Sequence, residues 1–146
     1  MSVNIIKLCV GVDSVEHLAK LQRERRAAQK IAGVTPQSFH RTTMMPKRRD
    51  EILGGGSIYW VIKGVIQLRQ KIIGLEPGHW DDGRYCCMIL LQARHHLVRP
   101  TPRRAFQGWR YLESEDAPPD VNGGSSGEFA KLPPKMRKEL AELGLL

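Results

Sequence analysis

Residues 54–75, GGGSIYWVIKGVIQLRQKIIGL, constrain the fold more than any other stretch of the chain. Three glycines open the segment, and the apolar run Ile58-Tyr59-Trp60-Val61-Ile62 follows before Lys63-Gly64 interrupts it. Beyond the interruption Val65 is apolar, Ile66, Leu68 and Ile72 share one parity, and Gln67, Arg69 and Lys71 share the other. A period of two is that of a strand, because successive side chains leave opposite faces of a pleated sheet. The polar parity is basic, so one sheet face would carry guanidinium and ammonium groups and offer a surface to anions. Lys63-Gly64 reads either as a turn or as a bulge in one long bent strand, since glycine inside a strand pattern marks a bend.

The remaining segments assemble around this pair. Asn4–Val12 predicts a first strand, with Ile6, Leu8 and Val10 on one parity and Lys7 and Cys9 on the other. Asp13 with Glu16 three residues on has capping-box spacing, and a helix from about Ser14 to Ile31 follows, stopped at Gly33. Val15, Leu18, Leu21 and Ala28 form its thin apolar stripe. Lys20, Arg23, Arg25, Arg26 and Lys30 lie off that stripe, as a solvated face or an anion-binding one. Phe39–Thr43 predicts a short strand, and Pro46–Leu53 a short helix opened by proline. Glu76–Gly83 holds Pro-Gly and Asp-Gly pairs and reads as a loop. Arg84–Gln92 is nearly continuous apolar and reads as a strand buried on both faces. His96-Leu97-Val98 reads as an extension of that strand, Pro100 and Pro102 then force an edge-like path, and Phe106–Leu112 predicts a last strand. Asn122–Gly127 has the composition of a flexible loop, and Pro133-Pro134 opens a final helix to about Leu143.

A chain of 146 residues suits one domain, 1–146, and 41% hydrophobic with 26% charged residues is ordinary for a soluble protein. The net charge of +8 is less ordinary and favours an acidic partner. Cysteine usage excludes a disulfide framework or zinc knuckle: there are three, Cys86 and Cys87 are adjacent, and no C-x-x-C pair exists. Reduced thiols and a cytoplasmic location are the expectation. No stretch has signal-peptide character or approaches the roughly 20 apolar residues of a membrane-spanning helix.

No constellation compels a reaction. Gly123-Gly124-Ser125-Ser126-Gly127 matches G-x-S-x-G in form, but glycine and acidic loop replace the strand and helix a nucleophile elbow needs, and every histidine precedes Ser125. Gly54-Gly55-Gly56-Ser57 leads into a strand where a P-loop leads into a helix, so a helix stop and turn is the simpler reading. A phosphate held between those amides and Lys47-Arg48-Arg49 is the alternative. His95 and His96 are adjacent, so on a strand they leave opposite faces and do not share a metal. The strongest combination is basic with aromatic: Tyr59 and Trp60 beside Lys63 and Arg69, and Trp109 and Tyr111 beside Arg103, Arg104 and Arg110. Cations neutralise phosphates and exposed rings stack on unpaired bases, although aromatic residues in strands more often fill the core.

These blocks resemble a family of uncharacterised small proteins, found mostly in alphaproteobacteria and known as domain of unknown function 1489. The resemblance rests on IKLCVGVDSVEHL, MPKRRDEILGGGSIYWVIKGVIQLRQKI, PRRAFQGWRYLESEDAPPD and the leucine-rich C-terminal helix. It implies no activity, cofactor or catalytic residue. A weaker, fold-level similarity is to PUA-like domains, small mixed barrels that bind RNA or modified bases.

The expected fold is α+β: a mainly antiparallel curved sheet or open barrel of five or six strands, with a long N-terminal and a short C-terminal helix. The leading functional expectation is binding of RNA or a nucleotide-like anion without catalysis and without cofactor, metal or membrane. Arg41, Lys47, Arg48, Lys63, Arg69, Arg103, Arg104 and Arg110 would contact phosphates, and Trp60 or Trp109 would stack a base. An enzyme acting on a phosphorylated small molecule or nucleic acid is the alternative, with His95, His96 or Asp81 in acid–base roles. Its signature would be a deep pocket holding a histidine or carboxylate of shifted pKa. An adaptor that docks an acidic protein is the third reading.

Overall fold

The computed structural model describes residues 2–104, 106 and 108–121. The predicted loop at 122–127, its G-x-S-x-G serine and the predicted helix at 133–143 lie outside them. The described chain forms β1 (Val3–Leu8), α1 (Val15–Ile31), β2 (Ser38–Thr42), α2 (Arg49–Leu53), β3 (Ser57–Ile62), β4 (Val65–His79), β5 (Tyr85–Leu91), β6 (His96–Pro102) and β7 (Trp109–Glu113). Seven strands, where five or six are predicted, make one sheet in the order β2-β5-β4-β3-β1-β7, with β6 also on β4. Pairing is antiparallel except between β1 and β3, and β2 and β7 each pair with one neighbour, so the described sheet is open.

β4 is the organiser. Its first half pairs with β3 on one side and β6 on the other, and its second half pairs with β5. Lys63 and Gly64 join β3 to β4 as a two-residue turn, both with positive φ (51° and 77°), the conformation that follows the right-handed twist of a hairpin. Register shifts at Trp60/Val61 and Ile66/Leu68 break the simple alternation. Ile66 therefore packs with Ile6, Tyr59, Val61, Val98 and Leu112 on one face of the sheet, while Leu68 and Ile72 join the larger cluster on the other. Glu76–His79, predicted as loop, is still strand, with Pro77 opposite Cys87. Among the described residues no strand flanks β4 on its β3 side beyond Lys71, and an open edge tolerates proline.

The larger cluster is roofed by the two helices, α1 through Leu18 and α2 through Ile52. Ile5, Ile52, Ile58, Leu68, Leu75 and Ile89 are fully buried there, and each contributes roughly 1.5–3 kcal/mol by leaving water. The α1 cap differs from the predicted one. Ser14, not Asp13, is the N-cap and accepts from the His17 N–H at 3.0 Å, while the His17 ring accepts from the Asp13 N–H at 3.1 Å. The His17 ring thus reaches back one residue beyond the cap, past the position that Glu or Gln engages in a capping box, and the Asp13 carboxylate meets Lys63 at 3.0 Å.

The glycine run is structural. Gly54 ends α2, donating to Asp50, and Gly56 donates to the Ile52 carbonyl at 2.7 Å. A Cβ at Gly56 would collide with the carbonyl oxygens of Val3 and Ile52, so β1 and α2 close on each other only around glycine. The Ser57 N–H is spent on Asn4 Oδ1 at 2.9 Å. The Gly54, Gly56 and Ser57 amides are thus engaged inside the fold, which favours the reading as helix stop and turn.

Candidate functional site

Several of the predicted contact residues serve the fold. Arg48 sends Nε and Nη2 to Glu51 (2.7 and 2.9 Å) and Nη1 to Glu113 (2.6 Å), and lies 5.1 Å from the Tyr111 ring centre. The Tyr111 hydroxyl accepts from the Arg48 backbone N–H at 3.0 Å, so this arginine clamps α2 to β7. Its hydrogen bonds with the two carboxylates raise its pKa and hold Glu51 below the usual carboxylate range. Arg69 grips Asp120 with both arms (2.7 and 2.6 Å) and donates to Ser57 Oγ at 2.9 Å. That hydrogen bonding lowers the Asp120 pKa and ties the segment after β7 to the sheet. Arg41 stacks over Phe39 and meets Asp81 at 4.0 Å, Lys63 pairs with Asp13, and Lys47 is exposed in the turn before α2. Trp60 is 3% exposed, so its ring belongs to the core and is not offered for stacking at the surface. Trp109 is half-buried and meets Tyr111 edge-on at 4.9 Å.

Arg103, Arg104 and Arg110 do come together. With Pro102, Phe106 and Tyr111 they line an open groove of about 510 Å3 between the end of β6 and the start of β7. The Arg110 guanidinium lies 5.7 Å from the Phe106 ring centre, and the Arg103 N–H donates to the Gly64 carbonyl at 2.8 Å, anchoring the groove on the β3–β4 turn. Among the described residues neither Arg103 nor Arg104 forms an ion pair.

A second site escaped sequence reasoning. Between α1 and the sheet lies a cavity of about 140 Å3. Trp60 and His40 form part of its wall, Lys7 and Cys9 enter from the end of β1, and Gln22 and Arg25 come from α1. Lys7 and Trp60 are partners across the parallel β1–β3 pair, while His40 meets Trp60 edge-on at 5.2 Å. None of the lining residues is acidic. Burial, with the charges of Lys7 and Arg25, holds His40 down to about 4, so its imidazole is neutral at pH 7. Burial pushes Cys9 up to about 12 against those same cations, which leaves an unreactive thiol. Burial likewise lowers the Lys7 pKa. His40 Nε2 is buried and has no hydrogen-bond partner among the described residues. The signal in the sequence was Lys7 itself, placed on the parity of Val3 and Ile5, both wholly buried.

Behind the cavity lies a polar network. Gln22 and Gln70 exchange two amide hydrogen bonds (2.9 and 3.0 Å), Trp60 Nε1 donates to Gln70 Oε1 at 3.0 Å, and Gln70 Nε2 donates to the Gln92 carbonyl at 2.9 Å. His95 Nε2 lies 2.8 Å from Gln22 Oε1, which assigns the proton to that nitrogen. Burial and the positive charge of Arg26 hold His95 down to about 4. His96 faces away, beside Arg69 and Asp120, and burial is the main cause of its lowered pKa. The adjacent histidines therefore do different things. Asp81 lies in the β4–β5 turn, where the neighbouring Asp82 carboxylate accepts from the Arg84 N–H.

In comparison with known proteins, residues 5–146 match the family described as "Protein of unknown function (DUF1489)". No curated protein and no solved structure matches the chain.

Proposed function

The chain belongs to the DUF1489 family, and we propose that it binds RNA or a nucleotide-like anion without catalysing a reaction. One observation carries this reading: three arginines and a phenylalanine ring border one open groove. Arginine forks suit phosphate oxygens, and an aromatic face suits a base. The groove, rather than the face of β4, is the contact surface, since Arg69 is already neutralised by Asp120.

Fluorescence anisotropy with a labelled single-stranded RNA at two salt concentrations tests this. Three phosphate contacts on a single strand give a salt slope of about −2, hence a loss of roughly 10- to 20-fold between 50 and 200 mM salt. Arg103→Ala with Arg104→Ala should cut affinity at low salt and flatten the slope by about 1.4. Salt-independent binding, or an unchanged slope in the variant, would exclude the groove as the phosphate site.

A further inference from the structure

The cavity under α1 is separate from the arginine groove and has its own chemistry. Two cations reach it, Lys7 from the half-buried end of β1 and Arg25 from the exposed side of α1. Neither forms an ion pair among the described residues, and no carboxylate lines the wall. Taking an ammonium out of water without a counter-charge opposes folding, so Lys7 is a cost to the fold unless something else meets it. The buried, unpartnered His40 Nε2 is a second expense at the same place. Val12, Leu18, Leu21 and Phe39 supply an apolar part of the wall, and Gln22 a further polar group. A cavity of about 150 Å3 accepts a single six-membered ring.

From this we propose that the cavity binds a small organic oxyanion, a carboxylate or phosphate ester with a body about one ring in size. The anionic end meets Lys7 and Arg25. His40 Nε2 hydrogen-bonds the polar edge of the ligand, and the body lies against Leu21 and Phe39. An anion beside Lys7 would restore the counter-charge that the protein wall omits. No bond is made or broken.

The test is an amide chemical-shift titration of the full chain with benzoate, phenyl phosphate, inorganic phosphate and benzyl alcohol. Benzoate or phenyl phosphate should move the amides of Cys9, Leu21 and His40 in a saturable way. Benzyl alcohol, which has the ring without the charge, should bind at least about tenfold more weakly. Inorganic phosphate should also be weaker, because it leaves the apolar wall uncovered. Lys7→Met should weaken the oxyanion by about tenfold or more while raising the melting temperature, a pair of effects that a merely structural lysine would not produce. Lys7→Arg should restore part of the affinity, and His40→Phe should weaken binding while keeping the ring against Trp60. The proposal falls if neither organic anion shifts these amides up to about 10 mM, if benzyl alcohol equals benzoate, or if Lys7→Met binds as the native chain does. Inorganic phosphate equal to the organic anions would overturn the ring-sized body, and unchanged affinity in His40→Phe would remove His40 from the site.

Discussion

Replacing Gln70 with leucine should be among the most damaging single changes in this protein. Gln70 is 0% exposed and lies where β4, α1, Trp60 and the end of β5 meet. The change fills a similar volume, so the cavity contribution is small and the cost is polar. Three groups lose their partner: the indole N–H of Trp60, the Nε2 of Gln22 and the carbonyl of Gln92. Each buried orphan costs about 1–3 kcal/mol, and partial relaxation brings the total to roughly 3–5 kcal/mol. Gln22→Leu is milder, about 1–2 kcal/mol, because Gln70 keeps Trp60 and Gln92 and only the reciprocal amide pair and the His95 contact go. In the double variant the Gln22 Nε2 that Gln70→Leu strands no longer exists, so the two costs should fall short of their sum by about 1 kcal/mol or more. Urea unfolding followed by tryptophan fluorescence measures all three. A Gln70→Leu cost below about 0.5 kcal/mol, or strict additivity in the double variant, would refute the idea that this network carries the docking of α1.

Three further outcomes follow from the geometry. His40 and His95 titrate near 4 in the fold against an ordinary 6.5, so the unfolded chain takes up protons first and stability should fall as pH drops from about 6.5 to about 4. The upper bound is roughly 3 kcal/mol per histidine, read from melting temperatures across that window, and His40→Phe should lessen the slope. Gly56→Ala should cost several kcal/mol, about 3 or more, because its Cβ would strike two backbone carbonyls that cannot swing aside; a melting temperature within a degree or two of the native one would contradict it. Arg69→Gln should raise the Asp120 carboxyl pKa toward its ordinary value, seen by carboxyl-carbon NMR titration, and an unmoved Asp120 would show that the ion pair is not formed in solution.

Local pattern made much of this fold legible. The break at Lys63-Gly64, the helix ending near Ile31, the short helix after Pro46 and the apolar strand with its adjacent cysteines all follow from periodicity and breakers, while the choice between turn and bulge at the break came only with the structure. Misreadings arose where tertiary contact overrode local preference. Pro77-Gly78 has turn chemistry, yet a partner strand was available and Gly78 admits the Met88 side chain against its backbone. The basic parity of β4 looked like an exposed face, but bulges shift the register, and an aspartate 51 residues away claims Arg69. Asp120 follows Pro118-Pro119 in a stretch whose pairing with β6 no strand pattern announces. The cavity was the least legible feature. Lys7, Arg25 and His40 lie on three elements that are far apart in sequence, and only the tertiary fold brings them together.

The position of β1 has a consequence for how the protein is made. This strand sits between β3 and β7, and its pairing of Val3 with Glu113 joins residues 110 apart in sequence. While the chain is being synthesised, β1 can pair with β3 once that strand has emerged, but its other edge must wait until β7 leaves the ribosome. During that interval an apolar strand presents unpaired amides and carbonyls, which is the condition that invites pairing with a second nascent chain. Closure by such a distant partner is also slow, because a large loop must be ordered before the contact repays it. Val3, Ile5 and Ile6 thus leave the ribosome long before the strand that completes their cover.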